Sequence, residues 1–119
     1  GMWRRMATRE AADSEAKRRA REAVARVVAV LRRRSSVRRI YLYGSLAYHR
    51  FHEGSDIDLA VEGASREELD AVARAVEPGS PFPLDLRPFE HFSPSFQRLI
   101  TEFGEPLYDR PCGAASPPG

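Results

Sequence analysis

The sequence predicts an α+β domain: a small mixed β-sheet in a two-layer arrangement, backed on one face by helices. Three observations carry that expectation. Segments of helical period alternate with short strand-like runs in the order helix, strand, strand, helix, strand, helix, with a short closing strand after the last helix. Cap and turn residues fall at the joints. The chain of 119 residues, 42% hydrophobic, is long enough for one core without disulfides or structural metal.

Residues 10–34 read as the first helix. Ala20, Val24, Val27, Val28 and Leu31 recur at helical spacing, and Arg18, Arg19, Arg21, Arg26 and Arg32 lie largely off that stripe. Ser35-Ser36 is expected to end it. Residues 1–9 are expected to form a flexible N-terminus, with Gly1 ahead of Met2 a residue left over from expression. Arg39 to Tyr43, with β-branched Ile40 and aromatic Tyr41 and Tyr43, reads as a strand that stops at Gly44. A short helical turn over Ala47 to Phe51 and a loop over 52–55 follow.

Asp56 to Val61 is the second expected strand, with Ile57, Leu59 and Val61 pointing one way and Asp56, Asp58 and Ala60 the other. Ser65 with Glu68 three residues on is a capping box that opens the next helix, whose buried stripe is Leu69, Val72, Ala73 and Val76. Pro78-Gly79 stops it. Phe82 to Phe89 is the third strand, and its prolines, Pro83 and Pro88, put it near a sheet edge. Ser93-Pro94 starts the last helix, with Phe96, Leu99, Ile100 and Phe103 as its expected inner face and Gly104 as its stop. Glu105 to Asp109 is a short closing strand. The single domain therefore spans 10–110, and 111–119 is expected to be a flexible tail.

Charge is unevenly spread. Residues 1–40 hold 13 of the 19 Lys and Arg and 4 of the 17 acids, so the first helix is basic and the remainder acidic. That asymmetry suits a solvated amphipathic helix or a partner-docking surface. A nucleic-acid partner is not expected, because the second part is acidic and no base-reading motif is present. No apolar run approaches the ~18 residues of a membrane span. Cys112 is the single cysteine, which excludes an intrachain disulfide and a cysteine-based zinc site. A cytoplasmic protein is the expectation.

The chemistry concentrates in one stretch. Tyr43-Gly44-Ser45 joins a strand to a turn, where glycine lets the backbone approach an anion and serine adds a donor. Alone, such a pair is usually a plain turn. Ten residues later, Asp56 and Asp58 stand at i and i+2 of a strand and project from one face. Two carboxylates so close repel unless a proton or a cation intervenes, and Mg2+ favours carboxylate oxygens together with substrate phosphates. Asp85, an acid inside the apolar third strand, needs a partner: a shared metal answers that need, and so does Arg87 two residues on. Tyr48 and Phe51 fit either the core or a surface for a nucleobase.

Gly44-Ser45, the ten-residue spacer, Asp56-x-Asp58 and the later Asp85 together resemble the minimal nucleotidyltransferases of the DNA polymerase beta-like superfamily. The likeness is to the short MNT proteins encoded beside HEPN-domain toxins and covers residues 15–109. It implies a nucleotidyltransferase fold, ATP as substrate, two Mg2+ ions as cofactor, and transfer of AMP to a protein hydroxyl. Several such proteins are antitoxins that attach AMP to a tyrosine of a HEPN ribonuclease, so the implied partner is a HEPN-domain toxin. A non-catalytic antitoxin that neutralises its partner by complex formation is the alternative. Homo-oligomers, with an acceptor at the subunit interface, are compatible with the sequence.

By position, the resemblance implies that Gly44 and Ser45 hold the triphosphate. It makes Asp56 and Asp58 metal ligands, and Asp85 the group that completes the nucleophile-side metal and takes the proton. One departure stands out. The family often has basic residues directly after Gly-Ser, where this sequence has Leu46-Ala47-Tyr48-His49-Arg50. Either phosphate charge is met by Arg50, His49 or Arg87, or triphosphate binding is weaker than in the family; His49 and His52 are further candidate ligands.

Overall fold

The computed structural model describes residues 2–48, 51 and 54–110, with side chains of the first helix from residue 12 onward. Helix α1 spans Met2–Leu31, followed by β1, Arg39–Tyr43, and β2, Ile57–Glu62. Next come α2, Arg66–Val76, and β3, Leu84–Pro88. Helix α3, Pro94–Phe103, and strand β4, Glu105–Asp109, complete it. Single 3-10 turns at Glu77–Gly79 and Phe89–His91 flank β3.

The first helix begins well ahead of residue 10. Residues 2–9 are mostly Met, Arg and Ala, good helix formers with no Gly or Pro among them, so nothing in that stretch breaks the run. It also ends earlier than expected. Arg33 N–H donates to the Val30 carbonyl (3.2 Å) and Arg34 N–H to that of Leu31 (3.0 Å), a tightened last turn that stops the α-helix at Leu31.

The sheet has strand order β3-β2-β1-β4. Strands β1 and β2 pair antiparallel, as do β1 and β4, whereas β2 and β3 are parallel and need α2 as their crossover. The proline-bracketed β3 lies at an edge, where a missing N–H costs no ladder bond. Ser65 Oγ accepts from Glu68 N–H at 3.1 Å, as a capping residue should. The Glu68 carboxylate turns elsewhere, accepting from Arg34 Nε (2.7 Å) and from Ser36 Oγ, and so ties the α1–β1 loop to α2.

Alternation divides the apolar residues between two faces. Ile40, Leu42, Ile57, Leu59 and Val61 face the helices α1 and α2, where Ala20, Val24, Val27, Leu31, Leu69 and Val72 meet them in the main core. On the other face Ala60, Phe89 and Ile100 are buried, with Tyr41, Tyr43 and Phe92 packed against them. Helix α3 therefore lies opposite α1 and α2, not beside them. The first face is already covered, and a chain leaving edge strand β3 for the free side of β1 crosses the open one. Gln97 fixes that crossing by donating Nε2 to the Phe89 and Phe92 carbonyls at 3.2 and 2.9 Å.

The inner face of α3 is narrower than its sequence suggests. Ile100 is buried, but Phe96, Leu99 and Phe103 are 38%, 47% and 62% exposed. Gly104 closes the helix in an ordinary backbone conformation, and the reason for glycine is space: a Cβ would meet the Ile100 carbonyl oxygen at 2.5 Å and that of Leu42 at 3.0 Å.

Candidate active site

Strand β1 delivers the chain to Gly44, whose φ of +80° lies in the left-handed region that favours glycine. Space adds a second demand. A Cβ at Gly44 would stand 2.3 Å from Asp58 Oδ2 and 3.2 Å from its Cγ. The Asp58 carboxylate thus rests against the Gly44 backbone. Beyond it the Tyr48 N–H donates to the Gly44 carbonyl at 3.2 Å, closing a turn through half-buried Ser45.

Strand pairing assembles the rest. Tyr43 stands opposite Asp58 across β1 and β2, and Asp58 stands beside Asp85 across β2 and β3. Residues paired across strands share a face, so Tyr43, Asp58 and Asp85 form a row over three strands. Arg87 projects from the same face as Asp85 and donates Nε to both of its carboxylate oxygens, at 3.1 and 3.2 Å. Asp56 is exposed and lies one residue ahead of β2, because Ile57 is the first residue to pair.

Crowding shapes the electrostatics. Burial pushes the Asp58 carboxyl up to about 6, the negative charges of Asp85 and Asp56 push it the same way, and Arg87 opposes them. Burial, then the Asp58 and Asp85 charges, also raises the Tyr43 phenol well above its usual value, so Tyr43 stays protonated and available as a donor.

Among the described residues no three His, Cys, Asp or Glu side chains are gathered as a ready cage for a metal ion. What is gathered is the pair Asp58 and Asp85, with Asp56 near enough to act on Asp58 through its charge. That donor chemistry fits Mg2+, which takes hard oxygen ligands and keeps positions open for phosphates. A cation there would also offset the burial and the carboxylate repulsion that together make Asp58 hold its proton.

Arg50, His49 and His52 lie outside the described residues. Phe51 belongs to the core, edge-on to Phe82 at a centroid distance of 4.8 Å, whereas Tyr48 is exposed. Tyr43 is the site neighbour that sequence reasoning left as an ordinary strand residue. Its place is set by the β1–β2 register, which sets Tyr43 opposite Asp58 and which a long connecting segment leaves unspecified in the sequence.

This arrangement of sheet and helices is shared with solved structures. A toxin–antitoxin crystal structure with AMP-PNP superposes with a TM-score of 0.61 at 19% identity, covering 80% of this chain and 77% of that one. An MntA–HepT toxin–antitoxin structure gives 0.57 at 20% identity, over 75% and 72% of the two chains. The MNT antitoxin in complex with the tri-AMPylated HEPN toxin of Shewanella oneidensis gives 0.58 at 19%, over 81% and 76%. No curated protein matches the chain in sequence. The family model of the nucleotidyltransferase domain matches residues 24–106, and the chain belongs to that family.

Proposed function

We propose that this nucleotidyltransferase is a Mg2+-dependent protein adenylyltransferase that moves AMP from ATP to a tyrosine hydroxyl of a HEPN-domain toxin, and so serves as its antitoxin. One observation carries the reading: the Asp58 carboxylate rests on the Gly44 turn and stands beside Asp85. A phosphate-accepting bend and a pair of metal-seeking carboxylates therefore occupy one place. The likeness in fold to toxin–antitoxin structures, one with AMP-PNP and one with an AMPylated toxin, supports the choice of nucleotide and partner.

In this reading the N–H groups after Gly44 and the Ser45 hydroxyl hold the triphosphate tail, with Arg50 and Arg87 offsetting its charge. Asp56, Asp58 and Asp85 would hold Mg2+, which when bound neutralises charge on the phosphates and on the attacking oxygen. Asp85 leaves Arg87 and accepts the proton of the tyrosine hydroxyl. The phenolic oxygen bonds to the α-phosphorus as the bond from that phosphorus to the bridging oxygen breaks, and pyrophosphate leaves. The protein's own contribution is alignment of these groups.

Labelled ATP, Mg2+ and the HEPN protein of the same locus provide the test. Label should appear on a toxin tyrosine and be absent with the Asp56→Ala/Asp58→Ala variant. A second reading, neutralisation by binding alone, is favoured by the two-point grip of Arg87 on Asp85. Toxin neutralisation that survives the double substitution would establish it.

A further inference from the structure

We propose that the exposed apolar stripe of α3 is the surface on which the acceptor protein docks. This rests on the transfer reading above. Among the described residues, three of the four large apolar side chains left exposed (Phe96, Leu99 and Phe103) lie on this one helix. Their spacing of i, i+3 and i+7 makes a continuous ridge of the kind that anchors a helix in an apolar groove. Ile100 is the one buried residue of the helix and Phe96 leans on Phe92 and Tyr43, while Leu99 and Phe103 extend the apolar arc past the residues that meet the sheet.

Position identifies the occupant. Phe96 stacks on Phe92 at a centroid distance of 5.0 Å and meets Tyr43 edge-on at 6.0 Å; Phe92 and Tyr43 are 5.7 Å apart. Tyr43 is the residue opposite Asp58. The ridge therefore runs without a break into the aromatic border of the carboxylates. An accepting hydroxyl has to come within about 3–3.5 Å of the reacting phosphorus, and a protein that delivers it there must cover the adjoining face of α3. The partner's matching surface is apolar and carries the accepting hydroxyl at its margin. Exposed Arg98 and Glu102, of opposite sign, flank the ridge and give it no strong charge preference.

The test uses Leu99→Ser/Phe103→Ser, two exposed positions away from the carboxylates, with helicity checked by circular dichroism. Binding to the HEPN protein of the same locus is measured by calorimetry, AMP-PNP binding separately, and label transfer at sub-saturating partner. The double variant should bind the partner at least tenfold more weakly and transfer correspondingly less, with AMP-PNP affinity unchanged. Arg98→Ala, on the polar side, should bind as the unaltered chain does. Unchanged partner affinity in the double variant overturns the proposal, as does failure of the unaltered chain to bind the partner. So does loss of a homodimer with partner affinity intact, which would give the ridge to a second copy of this chain. If the complex forms and depends on the ridge while no label moves, docking stands and the transfer reading fails.

Discussion

A carboxylate lying on a glycine backbone leaves no room for a methyl group at Gly44. Gly44→Ala combines a left-handed backbone, which costs an L-residue roughly 1–2 kcal/mol, with a displaced Asp58. Thermal unfolding should show the loss of stability, and ATP binding should fall below detection in titration. Asp58 brings a pH dependence whose sign is fixed. Its carboxyl is raised from 3.8 to about 6, so the folded chain holds that proton more tightly than the unfolded one. The resulting stabilisation is complete below pH 3.8 and lost as pH rises through about 6. Asp58→Asn removes this slope, and above pH 7 the variant should be more stable than the metal-free parent by roughly 1–2 kcal/mol, a figure discounted for its half-exposed position. Denaturant titrations at pH 5 and 8 check it. Added Mg2+ should stabilise the parent but not the variant. Arg87 holds the Asp58 carboxyl down, so Arg87→Gln should move the acid limb of the transfer rate to higher pH. Asp56 and Asp58 could be placed on one face from sequence because alternation fixes a strand's faces, whereas Asp85 joins Asp58 through the β2–β3 pairing. Tyr43 could not, because its place depends on a pairing between separate strands.

The two ends of α3 were plain in the sequence, and its orientation was not. Ser93 accepts from Phe96 N–H at 3.2 Å, with Pro94 at the first helical position. Periodicity reveals an apolar arc, but which edge of the arc meets the sheet depends on where the chain crosses it. The energetic consequence is a sharp contrast between neighbours. Ile100→Ala should cost about 2–5 kcal/mol as a buried truncation. Leu99→Ala, one residue away, should stay within about 0.5 kcal/mol of the parent. Urea unfolding of both variants gives the comparison. The start of α1 was hidden for a different reason. Residues 2–9 favour helix by propensity, yet Met2–Leu31 has no acid in its first turn to announce a beginning.

The whole molecule is organised by one sheet with an apolar cluster on each side. Strand order followed from sequence only in part: the prolines marked β3 as an edge, while the parallel β2–β3 and antiparallel β1–β4 pairings emerge from packing. Since both clusters rest on the same strands, they should unfold together. Aromatic circular dichroism, which senses the Tyr41–Phe89 and Tyr43–Phe92 contacts, and the helical signal should give coincident denaturation curves. No helix among the described residues is long and apolar enough to cross a membrane. The sheet also bears on behaviour at high concentration. Strand β3, which holds Asp85, is an outer strand and would ordinarily offer its free amides as a template for fibril growth. Pro83 just before it and Pro88 at its end, with the Asp85–Arg87 salt bridge between, deny an incoming chain a flat hydrogen-bonding rail. The strand that carries Asp85 is thereby guarded against self-association.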